Sequence, residues 1–158
     1  DFSYGLNIGL DYKEFDLSMF FQGVQGVDVY NNQKFQTDFW SLTDAGSNKG
    51  SRLLNAWTTD NTSSLIPALT TNNTGDEGRA STYFVENGSY LKLRDLSVGY
   101  NLPTDVLQRC KLSKLRFYLS GHNLLTIKSK SLTCKDPENP NWAYPLATSV
   151  TFGVQVGF

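Results

Sequence analysis

The chain of 158 residues lacks a long apolar run, and no stretch reaches the length of about eighteen residues that a membrane-spanning helix needs. This absence excludes a transmembrane helix in the sequence. It leaves a membrane β-barrel open, because barrel strands alternate apolar and polar residues and keep the mean hydropathy low. An excess of one charge is also lacking, since the formal net charge is −1. That balance argues against nucleic acid as a partner.

Residues with catalytic or metal-binding chemistry are scarce. His122 is the only histidine, and no Ser-His-Asp set can be assembled around it by spacing. The two cysteines, Cys110 and Cys134, fit no metal-binding spacing. We therefore expect no catalytic site, no metal site and no cofactor, and His122 is interpreted as a polar residue that faces a loop or a barrel lumen.

Alternation is what the sequence has instead, and it is clearest at residues 148–158. Side chains on a strand point to opposite faces in turn, and here one face is polar while the other is apolar. The apolar residues, which we predict to face the membrane, are Val150, Phe152, Val154, Val156 and Phe158. About ten residues is the length that a tilted strand needs to cross a bilayer.

Similar alternation elsewhere predicts an all-β, antiparallel up-and-down meander of about five strands. The strands are expected near residues 2–11, 15–28, 89–101, 114–126 and 148–158. In the third, the apolar phase changes around Arg94 and Asp95. Either a one-residue bulge explains this, or Leu91 and Leu93 lie above the membrane zone. Residues 104–110 are expected to form one or two helical turns, capped by Thr104 or Asp105.

Two long connections, residues 29–88 and 127–147, separate these strands. The first is rich in Asn, Thr, Ser, Gly and Asp, and loops of this length are usually functional or mobile. Its aromatic residues, among them Tyr83 and Phe84, either pack the loop onto itself or meet a ligand or partner. The candidates for contact with a ligand or partner across the two loops are Trp40, Trp57, Trp142 and Tyr144.

The alternating loop lengths predict an orientation, because transmembrane barrels have short periplasmic turns and long outer loops. By this rule Tyr12, Tyr100 and Phe158 lie at the periplasmic end, and Phe15 begins the neighbouring strand at the same level. Four aromatic residues at one height are typical of an interfacial girdle. The same rule places Cys110 and Cys134 at opposite membrane faces, about 25 Å or more apart, which is too far for a disulfide.

Five strands cannot close a membrane barrel, since the smallest have about eight. An open sheet in lipid would expose unpaired backbone groups along two edges, at a cost of roughly tens of kcal/mol. We therefore expect residues 1–158 to be the C-terminal part of a larger barrel. The start at Asp1, without methionine or signal peptide, is expected for a mature protein or for a piece of a longer one.

Several stretches, in order, resemble the C-terminal end of SusC/RagA-type TonB-dependent outer-membrane transporters of Bacteroidetes. The most specific is residues 88–103, G-S-Y-L-K-L-R-D-L-S-V-G-Y-N-L-P. The others are residues 15–26, 115–126, 136–138 and 144–158. Two features depart from the family pattern: His122 stands where the family often has glutamine, and the loop before Pro145 carries an unusual cysteine.

This resemblance implies a plugged barrel of about twenty-two strands in the bacterial outer membrane, energised by TonB through an N-terminal region outside this sequence. It implies uptake of glycans or peptides together with a SusD-like surface lipoprotein. It also implies contact with outer-membrane lipid, and recognition by the barrel assembly machinery through the terminal strand.

A second interpretation is a secreted soluble β-sandwich or barrel whose aromatic loops bind carbohydrate. A disulfide between Cys110 and Cys134, or burial of Val150, Val154 and Val156 in a closed core, would favour it. A hydrolase is the third interpretation, and no residue set supports it.

Overall fold

The computed structural model describes residues 1–39, 48–70, 76, 78–141 and 144–158. They form, in chain order, β1 (Phe2–Tyr12), β2 (Phe15–Gln25), β3 (Asp28–Tyr30), α1 (Asn32–Asp38), a 3₁₀ turn (Ser51–Asn55), a 3₁₀ turn (Thr82–Phe84), β4 (Val85–Asn87), β5 (Tyr90–Asn101), α2 (Thr104–Arg109), β6 (Lys114–Lys128) and β7 (Ser149–Gly157). Two compact units result. The sheet unit contains residues 1–27, 88–129 and 146–158, and the loop unit contains residues 28–87 and 130–145.

The sheet unit is built on five antiparallel strands in the order β1-β2-β5-β6-β7. Each long strand pairs with the next long strand along the chain, which confirms the predicted all-β up-and-down meander. A two-residue turn joins β1 to β2, and Lys13 in this turn adopts the left-handed conformation, with φ of 54°. None of the helices among the described residues is long and apolar enough to cross a membrane.

The register of the strands shows which residues lie side by side on each face of the sheet. One row runs across all five strands and is entirely apolar: Leu10, Leu17, Val98, Leu119 and Phe152 pair in turn. The row beside it on the opposite face is entirely small or polar: Gly9, Ser18, Ser97, Ser120 and Thr151. The sheet therefore has one continuous apolar face and one continuous polar face.

The predicted aromatic level is confirmed for three of its four members. Tyr12 pairs with Phe15, and Phe15 pairs with Tyr100, with the last two ring centroids 4.8 Å apart. The row continues to Phe117. Phe158 does not belong to this row. It lies beyond the end of β7, past the final pair of Gly157 with Lys114, whereas the row reaches β7 at Val154.

A bulge in β5 explains the change of phase in the sequence. The pairing of β5 with both neighbours passes from Leu93 directly to Asp95. Removing Arg94 from the ladder keeps Leu91 and Leu93 on the same face as Leu96 and Val98, so of the two sequence interpretations the bulge is correct. The facing part of β6 is also irregular, and Asn123 there has φ of 52°.

Two local predictions need correction. The second strand ends at Gln25 rather than near residue 28, because Gly26 has φ of 78° and its amide donates to the Ser89 hydroxyl. The chain then forms β3, which pairs with β4 in a separate two-stranded sheet.

The helix expected after Pro103 is present as α2, but its predicted cap is wrong. Pro103 itself occupies the N-cap position, and no side chain caps the helix. Proline suits the start of a helix because the missing N–H would have had no partner inside the helix.

The loop unit has a small aromatic core centred on Phe84, whose exposed fraction is 0%. Its ring contacts those of Tyr30, Phe35, Phe39 and Tyr83 at centroid distances of 5.1 to 5.7 Å. Of the two interpretations of the loop aromatics, packing of the loop onto itself is therefore the one that the structure shows for Tyr83 and Phe84. Aromatic pairs of this geometry stabilise by about 0.5–1.5 kcal/mol beyond the area they bury.

Gly153 offers a test of the polar face. A Cβ at Gly153 would overlap the ring of Tyr118, its partner on β6, whereas a Cβ at Gly9 would meet nothing within 4 Å. We expect Gly153→Val to lower the free energy of unfolding by about 1–3 kcal/mol, as overpacking usually does. The measurement is the denaturant midpoint of the whole protein in detergent. Gly9→Ala is the matched control and should change it by less than about 0.5 kcal/mol; equal effects would contradict the packing of Tyr118 over Gly153.

Candidate functional site

Two parts of the molecule carry polar groups in a defined arrangement: the interior of the loop unit and the polar face of the sheet. Each is built from side chains that are distant in sequence. The loop unit also holds the aromatic residues that the sequence marked as candidates for contact with a ligand or partner.

Asp38, at the end of α1, is fully buried in the loop unit. Its carboxylate accepts hydrogen bonds from Arg52 Nε at 3.0 Å, from the Tyr83 hydroxyl at 2.9 Å and from the Thr37 hydroxyl at 3.0 Å. A buried carboxylate is costly unless it is paired and hydrogen-bonded, and three donors meet that requirement here.

Glu86, on β4, is the second buried carboxylate of the unit. It accepts from the Thr133 amide at 2.8 Å, from the Thr133 hydroxyl at 2.9 Å and from Asn31 Nδ2 at 2.9 Å, with Lys34 Nζ at 3.5 Å. The Thr133 oxygen also accepts from Arg52 Nη1 at 2.9 Å. Thr133 therefore joins both carboxylate clusters and connects residues 130–145 to residues 28–87.

The environment of each acidic group determines its protonation. Burial raises the pKa of Glu86, but the hydrogen bonds from Thr133 and Asn31, with the charge of Lys34, outweigh burial and bring the pKa below its usual value. For Tyr83, burial and then the hydrogen bond to Asp38 both raise the pKa of the phenol well above its ordinary value. At neutral pH Glu86 is therefore ionised and accepts hydrogen bonds, and Tyr83 is neutral and donates its hydroxyl hydrogen to Asp38.

This network was not predicted from sequence. Thr133 is 47 residues from Glu86, 81 from Arg52 and 102 from Asn31. No local pattern links positions so far apart. The one available signal was the presence of acidic residues next to aromatic ones in a polar stretch, as in Tyr83-Phe84-Val85-Glu86.

Two of the four predicted contact residues lie within the described residues, and both reach the surface. Trp57 is 40% exposed and Tyr144 is 97% exposed. The turn that follows Trp57 is held by hydrogen bonds: the Trp57 amide donates to the Ile66 carbonyl at 2.9 Å, and the Ser64 hydroxyl donates to the Asn55 carbonyl. Trp40 and Trp142 lie outside the described residues.

The polar face of the sheet carries paired charges. Arg116 on β6 donates to Asp16 on β2 at 3.0 Å, and Asn101 donates to the same carboxylate at 3.0 Å. His122 pairs across the strands with Asp95 and contacts it, so it occupies a polar-face position, as the sequence indicated. Arg94, in the bulge, donates to Gln22 at 2.8 Å and to Asn123 at 3.2 Å.

The opposite face includes the residues that the sequence marked as membrane-facing. Val150, Phe152, Val154 and Val156 lie on the apolar face of β7, and Phe158 follows its end. All five are exposed, with values from 46% at Val154 to 97% at Phe158.

Cys110 and Cys134 form no disulfide: Cys110 is exposed, and Cys134 is buried, with its thiol donating to the Asp136 carbonyl at 3.4 Å. Among the described residues, no three side chains of His, Cys, Asp or Glu come together in a group that could hold a metal ion.

The loop network makes a prediction about pH. Because the pKa of Glu86 is lower in the folded protein than its ordinary value of 4.5, its stabilising contribution is complete above that value and is lost as the pH falls below it. We expect hydrogen exchange of residues 28–87 and 130–145 to accelerate below about pH 4.5. Glu86→Gln should accelerate it already at neutral pH, by a local free-energy change of about 1–3 kcal/mol, with less further change in acid.

The control for that experiment is Asp60→Asn, which removes an exposed acidic group from the same unit. It should leave exchange unchanged. Wild-type exchange rates in the Glu86→Gln protein at neutral pH would show that Glu86 does not hold the two segments together.

The amino-acid sequence is similar to those of known proteins. No family model matches the chain. It is 37% identical over 129 residues to TonB-dependent receptor P3 of Formosa agariphila, covering 80% of the chain and 12% of the relative. It is 29% identical over 173 aligned positions to TonB-dependent receptor P26 of the same organism, covering all of the chain and 17% of the relative.

Solved structures give the same result. The RagAB peptide transporter matches 98% of the chain with a TM-score of 0.74 and 30% identity, and the RagAB peptide importer in the "open-open" state matches 99% with a TM-score of 0.77 and 28% identity. In both, the chain covers 17% of the matched chain. The chain thus spans between about an eighth and a sixth of the length of these relatives.

Sequence identity, coverage of nearly the whole chain and the five-strand meander all agree. Over nearly its whole length the chain resembles the C-terminal barrel region of TonB-dependent receptors of the SusC/RagA type, which lie in the bacterial outer membrane.

Proposed function

We propose that the chain forms five wall strands and two outer loops of a TonB-dependent transporter that imports glycans or peptides across the outer membrane. The observation that carries this proposal is the continuous apolar face of the sheet, which runs through all five strands and is exposed on β1, β5, β6 and β7. The relatives support it, since they are receptors and transporters. Transport, rather than catalysis, is the role we assign.

The apolar face contacts lipid in this proposal. Val150, Phe152, Val154 and Val156 meet the acyl chains, and Phe158 lies near the membrane boundary. Tyr12, Phe15 and Tyr100 also lie at that boundary, as in the girdles of outer-membrane barrels. The polar face then lines the lumen, where paired charges such as Asp16–Arg116 are in contact with water.

Further strands of the same protein cover the two free edges, which belong to β1 and β7. In hydrocarbon an unpaired backbone group costs several kcal/mol, so these edges require partners. The relatives are several times longer than this chain, and residues 1–158 therefore constitute one segment of the barrel, with outer loops at 29–88 and 127–147. In this proposal β7 also serves as the signal for the barrel assembly machinery.

The partners follow from the same assignment. TonB supplies energy through an N-terminal region of the transporter, and a SusD-like surface lipoprotein captures the nutrient above the barrel. The RagAB structures are named as a peptide transporter and a peptide importer. Uptake of labelled oligosaccharides and peptides by intact cells tests the proposal: uptake that persists after loss of TonB or of the proton gradient would overturn it.

A disulfide between Cys110 and Cys134, or burial of Val150, Val154 and Val156, would favour the alternative of a secreted soluble binding module. The two cysteines form no disulfide, and the three valines are exposed, so neither observation favours it.

The first prediction of this proposal concerns Val154. Arginine on the lipid face near the bilayer centre costs about 2–4 kcal/mol, so Val154→Arg should lower the free energy of unfolding of the full-length receptor by that amount and weaken its heat-resistant band on gels. Gln155→Arg is the matched control, because Gln155 follows Val154 on β7 and its side chain lies on the polar face of the sheet. An unchanged heat-resistant barrel in Val154→Arg would show that this face does not meet lipid.

The second prediction concerns Trp57. Because its side chain is partly exposed on a hydrogen-bonded turn, Trp57→Ala should weaken capture of nutrient or of the surface lipoprotein by about tenfold, the range of a contact worth more than 1 kcal/mol. Barrel assembly should remain normal. Leu69→Ala is the control, since Leu69 is similarly exposed, at 39% against 40% for Trp57. Failure of Trp57→Ala to assemble would instead make Trp57 a structural residue.

A further inference from the structure

The apolar face of the sheet contains a groove of about 180 Å³ at the end of the sheet where the β1–β2 turn lies. Sites for drug-sized molecules have volumes of about 300–1,000 Å³, so this groove fits a narrow segment rather than a bulky ligand. Its lining side chains on the apolar face are Phe15 from β2, Val98 and Tyr100 from β5, Phe117 and Leu119 from β6, and Phe152 from β7. Every one of these side chains is aliphatic or aromatic.

Two pairs of aromatic rings form the walls of the groove. The ring centroids of Phe15 and Tyr100 are 4.8 Å apart, and those of Phe117 and Phe152 are 6.5 Å apart in a stacked arrangement. Tyr100 and Phe117 are direct partners in the β5–β6 ladder. Each of these two partners contacts a ring on its outer side, Tyr100 toward β2 and Phe117 toward β7, and the groove lies between the two pairs.

The floor of the groove is formed by Val98 and Leu119, the next pair on the same face of the β5–β6 ladder. These side chains are shorter than the aromatic rings beside them, and they remain 42% and 51% exposed. Atoms that line a gap lose van der Waals contacts on that side. A flexible hydrocarbon chain that follows the groove restores those contacts, because it can adapt its shape to the walls.

Polar groups lie at the end of the sheet beside the groove. Tyr12 is the ladder partner of Phe15, which belongs to one wall, and Tyr12 is 72% exposed. Lys13 is exposed in the β1–β2 turn, and its ammonium lies 5.5 Å from the centre of the Tyr12 ring. Tyrosine is favoured where one end of a side chain meets apolar material and the other meets water. A positive charge and a phenol hydroxyl thus lie beside one wall of the groove.

The charges of this turn determine which lipid headgroup it fits. Glu14 follows Lys13, so the turn carries one positive and one negative side chain. Asp11, the other carboxylate nearby, pairs with Asp16 and belongs to the polar face. A phosphate group matches the Lys13 ammonium, and a headgroup ammonium matches the Glu14 carboxylate. A zwitterionic headgroup therefore complements the turn better than one that carries only negative charge.

We propose that the groove binds one zwitterionic glycerophospholipid of the membrane leaflet that meets the short turns. One acyl chain lies over Val98 and Leu119 between the two aromatic pairs, the phosphate contacts Lys13, and the headgroup ammonium contacts Glu14. The inference rests on the proposed transport function, because that function places this face in lipid. It adds a lipid held at one defined position to the general contact with acyl chains.

Native mass spectrometry of the full-length receptor in detergent tests the site, with dioleoyl phosphatidylethanolamine and dioleoyl phosphatidylglycerol as the probes. We expect the wild type to bind one phosphatidylethanolamine molecule about threefold more tightly than phosphatidylglycerol, the effect of an exposed charge pair. Phe152→Ala removes part of one wall, so its affinity for phosphatidylethanolamine should fall by about fivefold or more.

Phe2→Ala is the matched control for Phe152→Ala. Phe2 lies on the same face and is 61% exposed against 67% for Phe152, but it pairs with Gln25 at the opposite end of β2. Its affinity for phosphatidylethanolamine should stay within about twofold of wild type.

Lys13→Gln is the second variant, and it keeps the proposal open to test if Phe152→Ala fails to assemble, because Lys13 is an exposed turn residue. We expect its affinity for phosphatidylethanolamine to fall by about threefold. Lys130→Gln is the control, since it removes an exposed lysine that follows the other end of β6, and it should leave the affinity unchanged.

Equal affinity for phosphatidylethanolamine in wild type, Phe152→Ala and Lys13→Gln would overturn the site. Tighter binding of phosphatidylglycerol would overturn the headgroup assignment. Receptor dimers that exclude the lipid and are lost in Phe152→Ala would assign the groove to a second copy of the receptor and overturn the proposal. Uptake by cells that carry the same variants separates this site from the proposed function: TonB-dependent uptake without a lipid site leaves transport standing, whereas uptake that does not need TonB overturns the function on which the site rests.

Discussion

The alternation of side chains along paired strands is the constraint on which the sheet depends. Since successive residues face opposite ways, a strand can be apolar toward one medium and polar toward another only if its register holds over its whole length. A slip of one residue would exchange the faces. The register of the five strands keeps Leu10, Leu17, Val98, Leu119 and Phe152 in one row, and the bulge at Arg94 restores this row where the sequence of β5 would otherwise break it.

The loop unit solves a different problem. Its small apolar core contains Phe84, Phe39, Leu53 and Leu132. A buried polar network is added to this core, with Asp38 and Glu86 each receiving several donors. Networks of this kind are sensitive to loss of a single member, because an unsatisfied buried group costs far more than one hydrogen bond gains. Hydrogen bonds to these two buried carboxylates therefore stabilise the loop unit together with hydrophobic burial.

Much of the sheet could be predicted from sequence, and little of the loop unit could. The period-two pattern is local, so it revealed the five strands and the phase change at Arg94. The end of β2 was missed because Val24 and Val27 favour a strand by type, while the left-handed conformation of Gly26 ends the strand at Gln25. The cap of α2 was wrong because Thr104 and Asp105 favour that position by type, while Pro103 holds it here.

The candidate site was likewise predicted only in part. Trp57 was found because a tryptophan in a polar stretch is conspicuous. The buried network of Asp38 and Glu86 was not found, because its members are far apart in sequence: Thr133 is 47 residues from Glu86 and 81 from Arg52.

Thr133 has one more consequence, for protein engineering. Its hydroxyl oxygen is shared among Asn31, Arg52 and Glu86, so the segment 130–145 cannot be exchanged between receptors without its counterpart. A chimera that receives only one of the two segments would inherit charged groups whose partners stayed behind in the donor. Residues 28–87 and 130–145 therefore form a single transplantable cassette, although more than forty residues of barrel wall separate them along the chain.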